Sequence, residues 1–202
     1  MEITLNVRNI LAGEEVEGAP MLDMKDLHMV YEKSRFLPSI HKECKWDRDT
    51  IFALALIAKV FGVKDQGQDS KLHKIPDFVE VENTFYDIVR VLADGHPLTT
   101  AIIPGKNFEK LKPGQIYKAP HEENLIDGQH SKTRHAIVLI GAGRRGHTNY
   151  YHFINSWGKL FCLEEDRYGF GMIRASDIKI EPLKFIRFKE EVCYHRSLAS
   201  TA

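Results

Sequence analysis

The chain reads as an α+β protein in which two helices precede an antiparallel, barrel-like sheet. Three observations carry that expectation. An almost wholly apolar run at residues 50–61 has the length and composition of a buried helix. Residues 85–92 space their apolar side chains at helical intervals. From residue 98 onward, short β-branched runs alternate with Gly, Pro and polar turns. The division this suggests is an N-terminal segment at residues 1–81, a sheet-bearing unit at residues 82–193, and a tail at residues 194–202.

Residues 1–40 are the least readable; residues 21–31 suit either a short helix or a turn, bracketed by Pro20 and Pro38. The helix at 50–61 has Asp49 as N-cap and Gly62 at the position of a C-terminal glycine. Residues 63–81 form a polar loop that ends in an extended 76–81. The second helix, at 83–94, has Asn83 as its cap, Phe85, Ile88, Val89 and Leu92 as its inner face, and Gly95 at its close. Pro97 forces an extended chain into a strand at 98–103. A turn-bearing link at 107–114 then leads to a short strand at 115–118 and a charged loop at 120–132. Strands are also expected at 135–140, 150–154, 168–174 and 182–188.

Composition narrows the function. Lys and Arg number 28 against 28 Asp and Glu, so no charge excess points to nucleic acid or an acidic membrane surface. No apolar run approaches the ~20 residues that span a bilayer, and the first eighteen residues lack the apolar core of a signal peptide. Three cysteines, Cys44, Cys162 and Cys193, are too few and too odd a set for a disulfide scaffold. With no CxxC and no clustered Cys and His, neither a metal nor a cofactor is expected.

The chemistry gathers in residues 134–158, RHAIVLIGAGRRGHTNYYHFINSWG. Two strands joined by a polar turn at Arg144-Arg-Gly-His would bring His135, at the start of one, close to Asn155, at the end of the other. An imidazole whose ring N–H is held by an amide carbonyl is the oriented base of a nucleophile–base–orienter triad.

HAIVLIGAG followed by NSWG resembles the His and Asn segments of papain-like cysteine peptidases. The resemblance implies His135 as general base and acid, Asn155 as its orienter, and Trp157 as the cover of their hydrogen bond. It extends over residues 44–180, clearest after 82, through GHPLTTAII, FEKLKPGQIY and YGFGMIR. It implies a papain-like fold whose right-hand, sheet-bearing lobe is intact, with residues 1–81 as the remnant of a truncated or degraded helical lobe. Within that remnant, Leu22-Asp-Met-Lys-Asp-Leu27 resembles the motif that follows the family's catalytic helix. The family is typically vacuolar, lysosomal or extracellular, which leaves the compartment open for a chain without a visible signal peptide.

The nucleophile departs from the pattern. The family sets its Cys in a Cys-Gly-Ser/Ala-Cys-Trp/Tyr stretch about 130–150 residues before the His. No such stretch occurs, and Cys44 precedes His135 by only 91 residues (135 − 44 = 91). A helix dipole behind Cys44 would lower its thiol pKa, but Cys44-Lys-Trp-Asp aligns better with a later structural loop. Lys159-Leu-Phe-Cys162 replaces the family's second Trp-Gly, and Arg134 places a cation beside the base. These features lead to a papain-family peptidase, inactive as it stands, that binds a peptide or a protein partner. The alternatives are an active endopeptidase (a fragment, or one using Cys44), and a non-enzymatic binding module in which His135 and Asn155 are plain strand residues. Two motifs in register weigh against the last. Without its helical wall the sheet lobe would expose apolar surface, at about 1.5–3 kcal/mol per large side chain. Marginal stability is therefore expected, or cover from residues 1–40, a second copy or another protein.

Overall fold

The computed structural model describes residues 22–34, 50–67, 70–75, 77–119, 135–157, 161–162, 169–178 and 185–189. Arg134, Cys44, Cys193 and the cap proposed at Asp49 lie outside them. Three α-helices are described: α1 (Met24–Ser34), α2 (Thr50–Val60) and α3 (Phe85–Ala93). None of the described helices is long and apolar enough to cross a membrane.

The segment left open between helix and turn is helix α1. Asp23 starts it, its carboxylate accepting from the backbone N–H groups of Lys25 (2.8 Å) and Asp26 (3.3 Å). Helix α2 ends within one residue of where its sequence indicates. Ala53, Ala55, Leu56, Ile57 and Ala58 are buried, and Gly62, at φ +80°, adopts the left-handed turn that a glycine accepts without strain. Residues 63–81 hold more order than a loop. Strands β1 (Val63–Lys64) and β2 (Leu72–His73) pair antiparallel. Between them Asp65 accepts from the N–H groups of Gly67 and Lys71 and lies 2.9 Å from His73 Nε2. Because Asp23 N–H donates to Lys64 O at 2.7 Å, α1 is tied to this small ladder.

The main sheet has seven strands in the order β3–β9–β4–β6–β7–β8–β5. They are β3 (Asp77–Val81), β4 (Leu98–Ile102), β5 (Ile116–Tyr117), β6 (His135–Arg145), β7 (Thr148–Ile154), β8 (Phe170–Arg174) and β9 (Phe185–Lys189). Strand β3 thus belongs to the sheet although it lies before residue 82: β9 returns between β3 and β4 and joins them. The pairings are antiparallel with one correction, since β5 runs parallel to β8 (Ile116↔Met172, Tyr117↔Ile173). Hairpins force antiparallel neighbours, but β5 reaches β8 only after the chain has passed through β6 and β7, and that longer route permits the parallel direction.

Two further details correct the local reading. The cap of α3 is Thr84, not Asn83: its hydroxyl accepts from Asp87 N–H at 3.1 Å and donates in turn to the Asp87 carboxylate. On its inner face Ile88 and Val91 are buried, Phe85 and Leu92 pack against the same core, and Val89 is half-buried. Strand β6 runs on through Gly141-Ala-Gly143 to Arg145, and the hairpin turns at Gly146 and His147 rather than over four residues. A register shift between Leu139 and Gly141 lets the glycine-containing strand follow its partner.

The large core lies under this sheet. Leu98, Ile102, Ile137, Leu139, Phe153 and Ile173 meet Ile88 and Val91 of α3 and Phe108 of the loop before β5. A second cluster, Leu22, Ala55, Ala58, Val63 and Ile75, packs around α2. Phe52 of α2 and Phe78 of β3 meet edge to face at 5.2 Å and connect the α2 cluster to the edge of the sheet.

Candidate active site

The hairpin of β6 and β7 sets the geometry. Val138 pairs with Ile154, so Asn155, one residue further, comes level with the beginning of β6. Alternation places its side chain on the face that carries Ile137 and His135. The two motif residues do meet: His135 Nε2 lies 2.6 Å from Asn155 Oδ1. An amide oxygen only accepts, so Nε2 carries the hydrogen and Nδ1 keeps the basic lone pair. Among the described residues, none hydrogen-bonds to Nδ1.

Both groups are held from below and above. Asn155 is 6% exposed, and its backbone N–H donates to Gly169 O at 2.7 Å, whose own N–H donates to Phe161 O at 2.9 Å. The Trp157 indole lies 4.6 Å from the imidazole, centroid to centroid, and is 40% exposed. It therefore forms the outer lid of the pair. Beneath, the fully buried Phe108 presents its ring to His135 at 5.8 Å and to Trp157 at 5.2 Å. Phe108 stacks in turn on Phe153 at 5.7 Å. An apolar enclosure of this kind limits water's competition for the His135–Asn155 bond.

Phe108 and Phe161 were not singled out by sequence. Phe108 opens the FEKLKPGQIY stretch that resembles the family, but nothing in that charged turn marks it as a ring under the imidazole. Phe161 occupies the stretch that departs from the family's second Trp-Gly, yet it supplies a ring there. It is buried, 5.9 Å from Trp157 and 5.2 Å from Phe108. Cys162, next to it, is buried at φ +49°.

Other ionisable groups near this lobe are shifted by their surroundings. Burial pushes the Tyr151 and Tyr117 phenols up. On the opposite face of β7, burial and the Arg145 cation hold the His152 imidazole below its ordinary value. No group of three or more His, Cys, Asp or Glu able to hold a metal occurs among the described residues.

Residues 58–179 match the family model of the papain family cysteine proteases. Among solved structures, the chain is similar to procathepsin L 3 of the Tenebrio molitor larval midgut, at 11% identity and a TM-score of 0.55, over 93% of this chain and 62% of that one. It is similar to procathepsin B S9 from Trypanosoma congolense at 14% identity and a TM-score of 0.52, over 68% of this chain and 52% of that one. It also aligns with bromelain from Ananas comosus, solved with the E64 inhibitor, at 18% identity, a TM-score of 0.48 and 69% of each chain. No curated protein matches by sequence. The chain thus spans 52% and 62% of the length of the two procathepsins whose fold it shares. The family match covers more than half of the sequence, and the chain belongs to the papain family of cysteine proteases.

Proposed function

We propose that this chain carries the acid–base half of a papain-type peptidase site and, as it stands, binds a peptide or protein segment without cleaving it. The observation that carries the reading is the His135–Asn155 hydrogen bond at 2.6 Å, lidded by Trp157. Papain-type hydrolysis needs a thiolate that attacks the scissile carbonyl while the imidazole takes the thiol proton and returns it to the leaving amine. His135, with Nε2–H held by Asn155, has the tautomer for both transfers at Nδ1. A Cys stretch of the family's form is missing from the sequence, and the cysteine nearest in the chain, Cys162, is buried. Without a thiolate the base has no proton to accept, and what remains is a preorganised wall of a peptide cleft.

A second reading rests on the same bond. Nδ1 has no hydrogen-bond partner among the described residues, as a base awaiting a thiol would. In that reading Cys44, or a cysteine outside this chain, completes an active endopeptidase.

Incubation of the folded chain with a peptidyl epoxide or vinyl sulfone, read by intact mass and peptide mapping, separates the two. No adduct is expected. A stoichiometric adduct on Cys44 that disappears in His135→Ala would replace the binding reading with the catalytic one. Cys44→Ala serves as the control for adventitious alkylation.

A further inference from the structure

The outer face of the β7–β8 ladder carries a cleft that the His135–Asn155 pair does not use. Alternation places Tyr150 and His152 opposite to the buried Tyr151 and Phe153, and the cross-strand partners of His152 and Ile154 there are Met172 and Phe170. Pro113, Gly114 and Gln115, in the turn before β5, form the facing wall. Arg145 and Cys162 complete a cleft of about 600 Å³, a size that suits a small organic ligand.

Its chemistry is uneven in a specific way. Tyr150, Met172 and Pro113 give it apolar walls, and Phe170 stands at the mouth, 47% exposed. Among the described residues that line it, the one fixed charge is the cation of Arg145. Arg145 Nη1 donates to Gly114 O at 2.7 Å, and the guanidinium lies 5.9 Å from the centre of the Tyr150 ring. Those two contacts orient the planar group while leaving most of its five N–H donors for another acceptor. Tyr150 and His152 meet edge to face at 5.3 Å. Burial and the neighbouring cation keep His152 neutral near pH 7, so it contributes a donor and an acceptor rather than a second charge. Beyond the Pro113-Gly-Gln115 wall, an adjoining groove adds Lys110 and Lys112. Among the described residues, cations therefore outnumber acids around this aromatic cleft.

We infer that this cleft is a binding site for a small amphiphilic carboxylate, whose aryl or alkyl body packs on Tyr150, Phe170 and Met172 and whose carboxylate is taken by Arg145. A bidentate carboxylate on a guanidinium held in place is a strong charge-assisted contact, and the apolar walls supply the driving force for the rest of the ligand.

The test uses the full chain, isotope-labelled, with 3-phenylpropanoate as probe and 3-phenylpropanamide as its uncharged analogue, followed by NMR. The acid is expected to shift the signals of Tyr150, His152 and Met172, with the amide binding roughly tenfold more weakly. Arg145→Gln should bring the acid down to the level of the amide, and Phe170→Ala, at an exposed position, should weaken both equally. The spectrum of each variant away from the cleft reports whether it has kept its fold. Equal affinity for acid and amide overturns the inference. So does an unchanged acid affinity in Arg145→Gln, a response centred on His135 and Trp157, or no response up to about 10 mM probe.

Discussion

Asn155 holds its side-chain oxygen 2.6 Å from Nε2 of His135 across the β6–β7 hairpin. The contact spans 20 residues of sequence, and it selects which imidazole nitrogen is basic. The Asn155 Nδ2 on the other side of the amide is buried without a partner among the described residues.

Replacing Asn155 by Ala should unpair a half-buried imidazole donor and remove an unpaired amide at the same time. The first effect outweighs the second because the imidazole loses the one hydrogen bond that the described residues give it. A net loss of about 1–2 kcal/mol is expected in urea titration. The His135 ring signals should broaden as the side chain samples other rotamers. Unbroadened signals would show that Trp157 and Phe108 alone fix the ring.

Phe108 and Gly171 test the floor of the site in opposite directions. Phe108→Ala opens a cavity under His135 and Trp157 and should cost about 3–5 kcal/mol. Gly171→Ala overfills the same region: its Cβ would come within 2.5 Å of Phe153 Cζ and 3.0 Å of Leu111 Cδ2. A loss of about 1–3 kcal/mol is expected. Both variants should alter Trp157 fluorescence, and a variant that lost stability without moving that emission would place the disturbance elsewhere.

Thr84→Ala removes the cap of α3 and should cost about 0.5–2 kcal/mol, while Asn83→Ala, at an exposed residue with no cap role, should stay within about 0.5 kcal/mol. Thermal denaturation of the two variants side by side distinguishes them. The reverse order would return the cap to Asn83.

His152 predicts a pH dependence. Its folded-state pKa lies below the ordinary 6.5, through burial first and Arg145 second. The unfolded chain therefore binds the proton more readily, and stability should fall as the pH drops from 6.5 toward the folded value. Arg145→Gln removes the second cause and should shallow that decline, while His152→Gln should abolish its share. The measurement is urea stability between about pH 7 and pH 5. Asp65 acts at lower pH, in the same direction. His73 and the Lys71 and Gly67 N–H groups hold its carboxyl below the ordinary 3.8, so its contribution is lost as the pH falls through the folded value.

Much of the site was legible because its signals are local. His135 and Asn155 each stand inside a dense motif, and a short hairpin between two β-branched runs leaves few ways to arrange them. Helix α2, Gly62 and Gly95 follow from propensity and turn chemistry within a few residues. The Thr84 cap was missed by a single position, because Asn and Thr both cap well and nothing local ranks them.

What the sequence by itself determined is therefore the α+β class, helices α2 and α3, the strands from residue 98 onward, and the two motifs that bring His135 and Asn155 together. Tertiary structure alone decided that β9 inserts between β3 and β4, that β5 pairs parallel with β8, and that Phe108 and Phe161 close under Trp157. It also decided that Tyr150, His152, Phe170 and Met172 share an outer cleft with Arg145. The reason is range. Capping, turns and periodicity act over a few residues, whereas strand order and ring-on-ring packing depend on which distant segments exclude water together.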